Sequence, residues 1–201
     1  MNKTINMKNI SISWPILFCI MALTMAMSCE TDPPLPPIDP EDDLIEFAYN
    51  PTPHDLEIPS WMGSMTIPED NPMTEEGIDL GKRLFFDPIL SADSTMSCSS
   101  CHEPALSFND NLAFSSGVDG ISGRRSAMSL INIGFVDHGL NWDGSKVTLE
   151  QQALEPVINE IELHETWPNV INKLQRHPTY PRLFREAFGI NDRDEMTKEL
   201  A

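Results

Sequence analysis

Apolar positions recur at helical spacing in short bursts, separated by longer polar stretches rich in Ser, Asn, Asp and Gly. Over residues 74–86, Ile78, Gly81, Leu84 and Phe85 fall on one helical face. Thr74 caps that helix, Glu75 and Glu76 complement its positive end, Lys82 and Arg83 lie towards its close, and Pro88 stops it. Thr148 and Gln151 predict a capping box for a short helix ending near Pro156. Thr166 caps the next helix, where Val170, Ile171 and Leu174 form a stripe. Residues 181–188 make another, with Gly189 as its stop. Strand alternation is weak, and residues 129–135 are the best candidate. Residues 103–126 have loop composition, and a loop of that length calls for a functional reason such as wrapping the edge of a cofactor. Residues 196–201 begin a helical pattern too short to hold itself without continuation or packing, which predicts a truncated chain.

The pattern changes before residue 44. Residues 1–28 carry Lys3 and Lys8, no acid, and an apolar run too short for a membrane span, so they read as a secretory signal. The run ends in Ala26-Met27-Ser28-Cys29, which resembles a bacterial lipoprotein cleavage box. Cys29 then carries lipid, and Cys19 leaves with the signal. Residues 29–43 are dominated by proline and acid and predict an extended tether. This organisation places residues 44–201, enough for one core, on the periplasmic side of a bacterial envelope as a membrane-anchored lipoprotein.

Charge narrows the partners. The chain has 13 basic and 31 acidic residues, and without its first 28 residues its net charge is −20. Such a surface repels nucleic acid and favours a basic partner, for instance a small basic cytochrome.

The chemistry centres on Cys98-Ser99-Ser100-Cys101-His102. Two thiols three positions apart can both add to the vinyl groups of one porphyrin, and the adjacent imidazole can reach its iron. A zinc site needs about four ligands, usually as two such pairs, and only one pair exists here. The competing readings of the motif are a disulfide or half a zinc site; with Cys98 and Cys101 given to haem and Cys29 to lipid, no pair remains for a disulfide. The motif predicts one covalent haem c, with His102 as the metal ligand. Arg125 is a candidate for a haem propionate, because a guanidinium pairs well with carboxylates, and Gly123 permits close backbone approach. His54, His138, His164 and His177 read as surface or satisfied histidines, and Met128 as a core methionine or a sixth ligand.

Around this motif the chain resembles the first half of bacterial di-haem cytochrome c peroxidases. The likeness starts at Gly81-Lys82-x-Leu84-Phe85-Phe86-Asp87-Pro88 and Ser97-Cys98-x-Ser100-Cys101-His102. It continues through Phe108-x-Asp110, Ser116-Gly117, Gly123-x-Arg125, Asn132, Trp142-Asp143-Gly144, Leu149-x-x-Gln152-Ala153, Pro156 and Glu162. The resemblance implies an all-α, cytochrome c-like haem domain with short helices and long irregular loops. It implies reduction of hydrogen peroxide to water with electrons from a donor cytochrome. Glu162 then moves the proton, Gln152 orients the peroxide, and Trp142 matches a tryptophan between two haems. One departure is the lack of a second C-x-x-C-H. Another is Val118, 16 residues after His102, where many members place a histidine that blocks the iron. A third is Ser126 in place of an asparagine that helps bind calcium, which puts calcium binding in doubt. A face made to dock a second domain predicts self-association. The competing readings are a one-haem electron-transfer cytochrome and a fragment without independent activity.

Overall fold

The computed structural model describes residues 44–201. The signal segment, Cys19, Cys29 and the tether lie outside the described residues. Within them the regular structure is helical, with isolated β-bridges and no strand. No described helix is long and apolar enough to cross a membrane.

Helix α1 spans Glu75–Phe86. The Thr74 hydroxyl accepts from the Gly77 N–H at 3.1 Å, satisfying one of the N–H groups that the first turn leaves without a partner. Leu80 and Leu84 form its buried stripe. Asp87 ends the helix, and its carboxylate accepts from the Ile89 N–H at 2.9 Å to start the 3-10 turn Pro88–Leu90. Two short helices follow much later, α2 (Leu149–Ala153) and α3 (Glu155–Ile158). Thr148 opens α2 by accepting from the Gln151 N–H. Helix α4 covers Trp167–Arg176, burying Val170 and Leu174, and α5 covers Tyr180–Phe188. Gly189 closes α5 in the left-handed region at φ 72°, where a Cβ would meet the Tyr49 ring at 2.9 Å.

The core lies where α5 packs on α1 and α4. Leu44, Leu80, Leu174, Val170 and Phe184 are among the most deeply buried apolar side chains. Lys173 joins distant segments: its ammonium donates to the Ser91 carbonyl at 2.7 Å and pairs with the buried Glu165 carboxylate at 2.6 Å. The Tyr180 hydroxyl donates to Asp87 Oδ2 at 2.7 Å, tying α5 to the end of α1.

Residues 129–135 are not a strand. Asn132 adopts φ 59° and starts the 3-10 turn Ile133–Phe135, because a left-handed residue breaks the extended run. Residues 196–201 form a turn after the buried Met196 rather than the start of a helix.

Candidate haem and peroxide site

A cavity of about 700 Å³ opens between the end of α1, the Cys98 segment and the chain from Ser115 to Leu163. Cys98–Ser100 forms a 3-10 turn, tighter than a first helical turn. The Cys98 carbonyl accepts from both the Cys101 N–H, at 3.2 Å, and the His102 N–H, at 3.0 Å. Those two bonds bring Cys98, Cys101 and His102 together on the cavity wall. Both thiols are free. Burial pushes the Cys98 thiol above its ordinary range. Burial, followed by the Asp110 and Glu162 carboxylates, pushes Cys101 up to about 11.

His102 is oriented by a carbonyl. Ser107 and Phe108 both take positive φ, 61° and 57°, and turn the chain back so that the Phe108 oxygen lies 3.0 Å from His102 Nδ1. A carbonyl only accepts, so Nδ1 carries the hydrogen and Nε2 of the neutral ring keeps its lone pair. Such an outer hydrogen bond is the usual means of fixing the tautomer of a metal-binding imidazole. The Phe108 ring also meets the cavity-lining Phe85 edge-on at 6.2 Å.

The same cavity is lined by Gln152 on α2 and by Glu162 in the turn after α3. The Gln152 amide nitrogen donates to Asn141 Oδ1 at 3.4 Å. Although Glu162 is exposed to the cavity space, crowding removes enough water to raise its carboxyl above the ordinary range. Burial is the largest cause; the Asn159 amide and His102 oppose it, and Glu155 adds to it.

The lip is a tight loop. The Trp142 indole N–H donates to the Ser126 carbonyl at 2.9 Å, and its ring is 61% exposed. Arg125 lines the cavity with its neighbour Arg124, but its guanidinium reaches Asp143 Oδ2 at 3.0 Å. Hydrogen bonds from Ser145 and the Arg125 guanidinium hold the Asp143 carboxyl below its usual range.

The fold therefore brings Cys98, Cys101, His102, Arg125, Trp142, Gln152 and Glu162 to one cavity, and Met128 lines it as well. The other described histidines lie elsewhere: His54 pairs with Glu75, His164 with Asp119, and His138 and His177 are also outside the cavity wall. Val118 is pinned beside Glu162, its N–H donating to the Glu162 carbonyl at 2.8 Å. Two contributors went unread in the sequence, the Phe108 carbonyl and Asn159. A backbone oxygen leaves no residue-type signal, whereas Asn159 stood three positions before Glu162 in plain view.

The residues present fit a c-type haem. Two free thiols and an imidazole with an available nitrogen border a cavity within the usual range for cofactors, about 300–1,000 Å³. A helical fold built around such a site defines the cytochrome c class. Residues 75–201 match the family model for di-haem cytochrome c peroxidase, and the chain belongs to that family.

Among its relatives is methylamine utilization protein MauG of Methylorubrum extorquens, 36% identical over 126 residues that are 63% of this chain and 35% of that protein. Cytochrome c551 peroxidase of Pseudomonas aeruginosa is 34% identical over 117 residues, 58% of this chain and 34% of the relative. The structure is also similar to that of a MauG-like protein associated with microbial copper homeostasis, with TM-score 0.64 and 30% identity over 73% of this chain and 45% of that one. The chain thus spans about a third of the length of these curated relatives.

Proposed function

We propose that this chain carries one haem c on Cys98 and Cys101, with His102 as the iron ligand, and reduces hydrogen peroxide with electrons from a donor cytochrome. The observation that carries the reading is that the C-x-x-C-H turn, Gln152 and Glu162 line one cavity. Each thiol adds its sulfur to one vinyl carbon and its hydrogen to the other. Bound haem supplies the iron centre at which the O–O bond is cleaved and through which electrons arrive. The protein's share is to hold the peroxide and move one proton. Glu162 would take the proton from one peroxide oxygen and return it to the other, which leaves as water. Its raised carboxyl range suits a group that must both accept and release. Gln152 orients the peroxide by hydrogen bonding and transfers no proton. Arg124 and Arg125, which line the cavity, would pair with the haem carboxylates, Arg125 by exchanging its Asp143 partner, and Trp142 would pass electrons.

Stopped-flow mixing of the haem-loaded chain with peroxide tests this. A rapid first reaction, slowed about 10²–10⁴-fold in Glu162→Gln, is the expected result. An unchanged first step removes the role of Glu162. Met128 on the cavity wall favours a second reading, an electron carrier with methionine as sixth ligand. Val118 offers no such ligand, so the expected ferric spectrum is high-spin, and a low-spin spectrum lost in Met128→Leu supports the carrier instead.

A further inference from the structure

The segment holding Glu162 is organised by one side chain. Asn159 ends α3, and its backbone oxygen accepts from the N–H groups of Glu162 at 2.9 Å and His164 at 3.0 Å. Its side-chain Oδ1 accepts from the Ile161 N–H at 3.2 Å. An N–H only donates, so that contact identifies the oxygen end of the amide. The nitrogen end must then face the other way, where Nδ2 lies 2.7 Å from Glu162 Oε1. The amide cannot flip without placing NH₂ against the Ile161 N–H and two acceptors against each other. We propose that Asn159 is a positioning residue that commits Oε1 of Glu162 to a hydrogen bond and leaves Oε2 as the oxygen that carries the proton.

The inference rests on Glu162 being the proton carrier. Two functions follow from the one bond. It fixes the rotation of the carboxylate, so that a single oxygen meets the peroxide. It also stabilises the charged form, limiting how far burial raises the carboxyl. His102 lines the same cavity and would favour the Glu162 charge only in its protonated form, which an iron-binding imidazole does not adopt. Glu155 of α3 disfavours that charge, although Lys146 pairs with Glu155. The Cys98 and Cys101 thiols are neutral neighbours. The Asp119–His164 pair ties the same turn to the adjoining loop. Among these groups, Asn159 alone donates a hydrogen bond to the carboxylate.

The test uses the haem-loaded full chain and two readouts. One is the infrared carboxyl band of Glu162, assigned by its loss in Glu162→Gln and titrated against pH. The other is the pH profile of the first reaction with hydrogen peroxide. Asn159→Ala is expected to raise the infrared midpoint by about one to two pH units, the size of one lost hydrogen bond to a charged group. The acid limb of the rate profile should move up equally. Asn159→Asp keeps an acceptor for the Ile161 N–H, so the turn survives, but sets a second carboxylate beside the first and should raise the midpoint further. An unmoved midpoint in both variants overturns the proposal. A moved midpoint without any peroxide reaction keeps Asn159 in place and sinks the peroxidase reading instead.

Discussion

At the scale of single residues, the site has almost no spare room behind its acid. A Cβ on Gly117 would lie 2.3 Å from the Ile161 oxygen and 2.5 Å from the Glu162 oxygen, both rigid backbone atoms. Gly117 is therefore what lets the loop from Ser115 lie against the Glu162 turn, where the Val118 N–H can reach the Glu162 carbonyl. Gly117→Ala should cost about 1–3 kcal/mol of stability through overpacking. It should also displace Glu162 and slow the first peroxide reaction. Thermal melting and stopped-flow on one sample check both, and a variant with unchanged melting and rate contradicts this account. The Ser116-Gly117 pair was visible in the sequence, but the reason for the glycine is a contact with a segment some 44 residues away.

At the scale of elements, Lys173 on α4 ties the segment after α1 to the segment that follows Glu162. It holds the Glu165 carboxylate and the Ser91 carbonyl together. Glu165 has opposing influences: burial raises its carboxyl, while Lys173, the Thr166 N–H and Asn169 lower it, and the net direction is down. A carboxyl whose folded value lies below its unfolded one contributes stability above the unfolded value, near 4.3. That stability is lost as pH falls through the folded value. Glu162 has the opposite sign. Its raised carboxyl costs stability at neutral pH, and the cost is relieved on acidification. Glu165→Gln should therefore lower the melting temperature at pH 7, by about 3 kcal/mol in stability, since Lys173 loses its counter-charge. It should also flatten the acid side of the melting curve. Melting from pH 3 to 7 checks this, and an acid limb as steep as the parent's refutes it.

At the scale of the whole molecule, the motif sets how many haems the chain can hold covalently. One C-x-x-C-H implies one haem that survives denaturation, seen by intact mass and by staining of denaturing gels. Cys98→Ala with Cys101→Ala should abolish it. If Cys29 carries the proposed lipid anchor, attachment to a membrane should be firm, since several acyl chains hold where one is marginal. Cys29→Ser should move the protein to the soluble fraction, and continued membrane association defeats that assignment. Phe114, Ile131, Trp142 and Val147 are exposed apolar side chains, and exposed apolar area of this kind favours self-association.

The helices were legible because their signals are local. Thr74, Pro88 and Gly189 each act on neighbours within a turn, and the structure places α1 and α5 at those marks. The C-x-x-C-H motif was legible for the same reason, since its three functional groups lie within five residues. The pattern over 129–135 misled because β-branched and apolar residues suggest a strand, yet no partner strand lies alongside, and Asn132 takes a left-handed turn. Which carboxylate faces the cavity was beyond local pattern: Glu160, Glu162 and Glu165 stand in one acidic run, and resemblance singled out Glu162. Only the fold sends Glu165 to Lys173 and Glu162 to the cavity with Asn159 on its Oε1. Residue type and spacing determined the helices and the attachment chemistry of this protein. Orientation, desolvation and the pairing of distant groups were decided by tertiary packing, because those are properties of the space between segments.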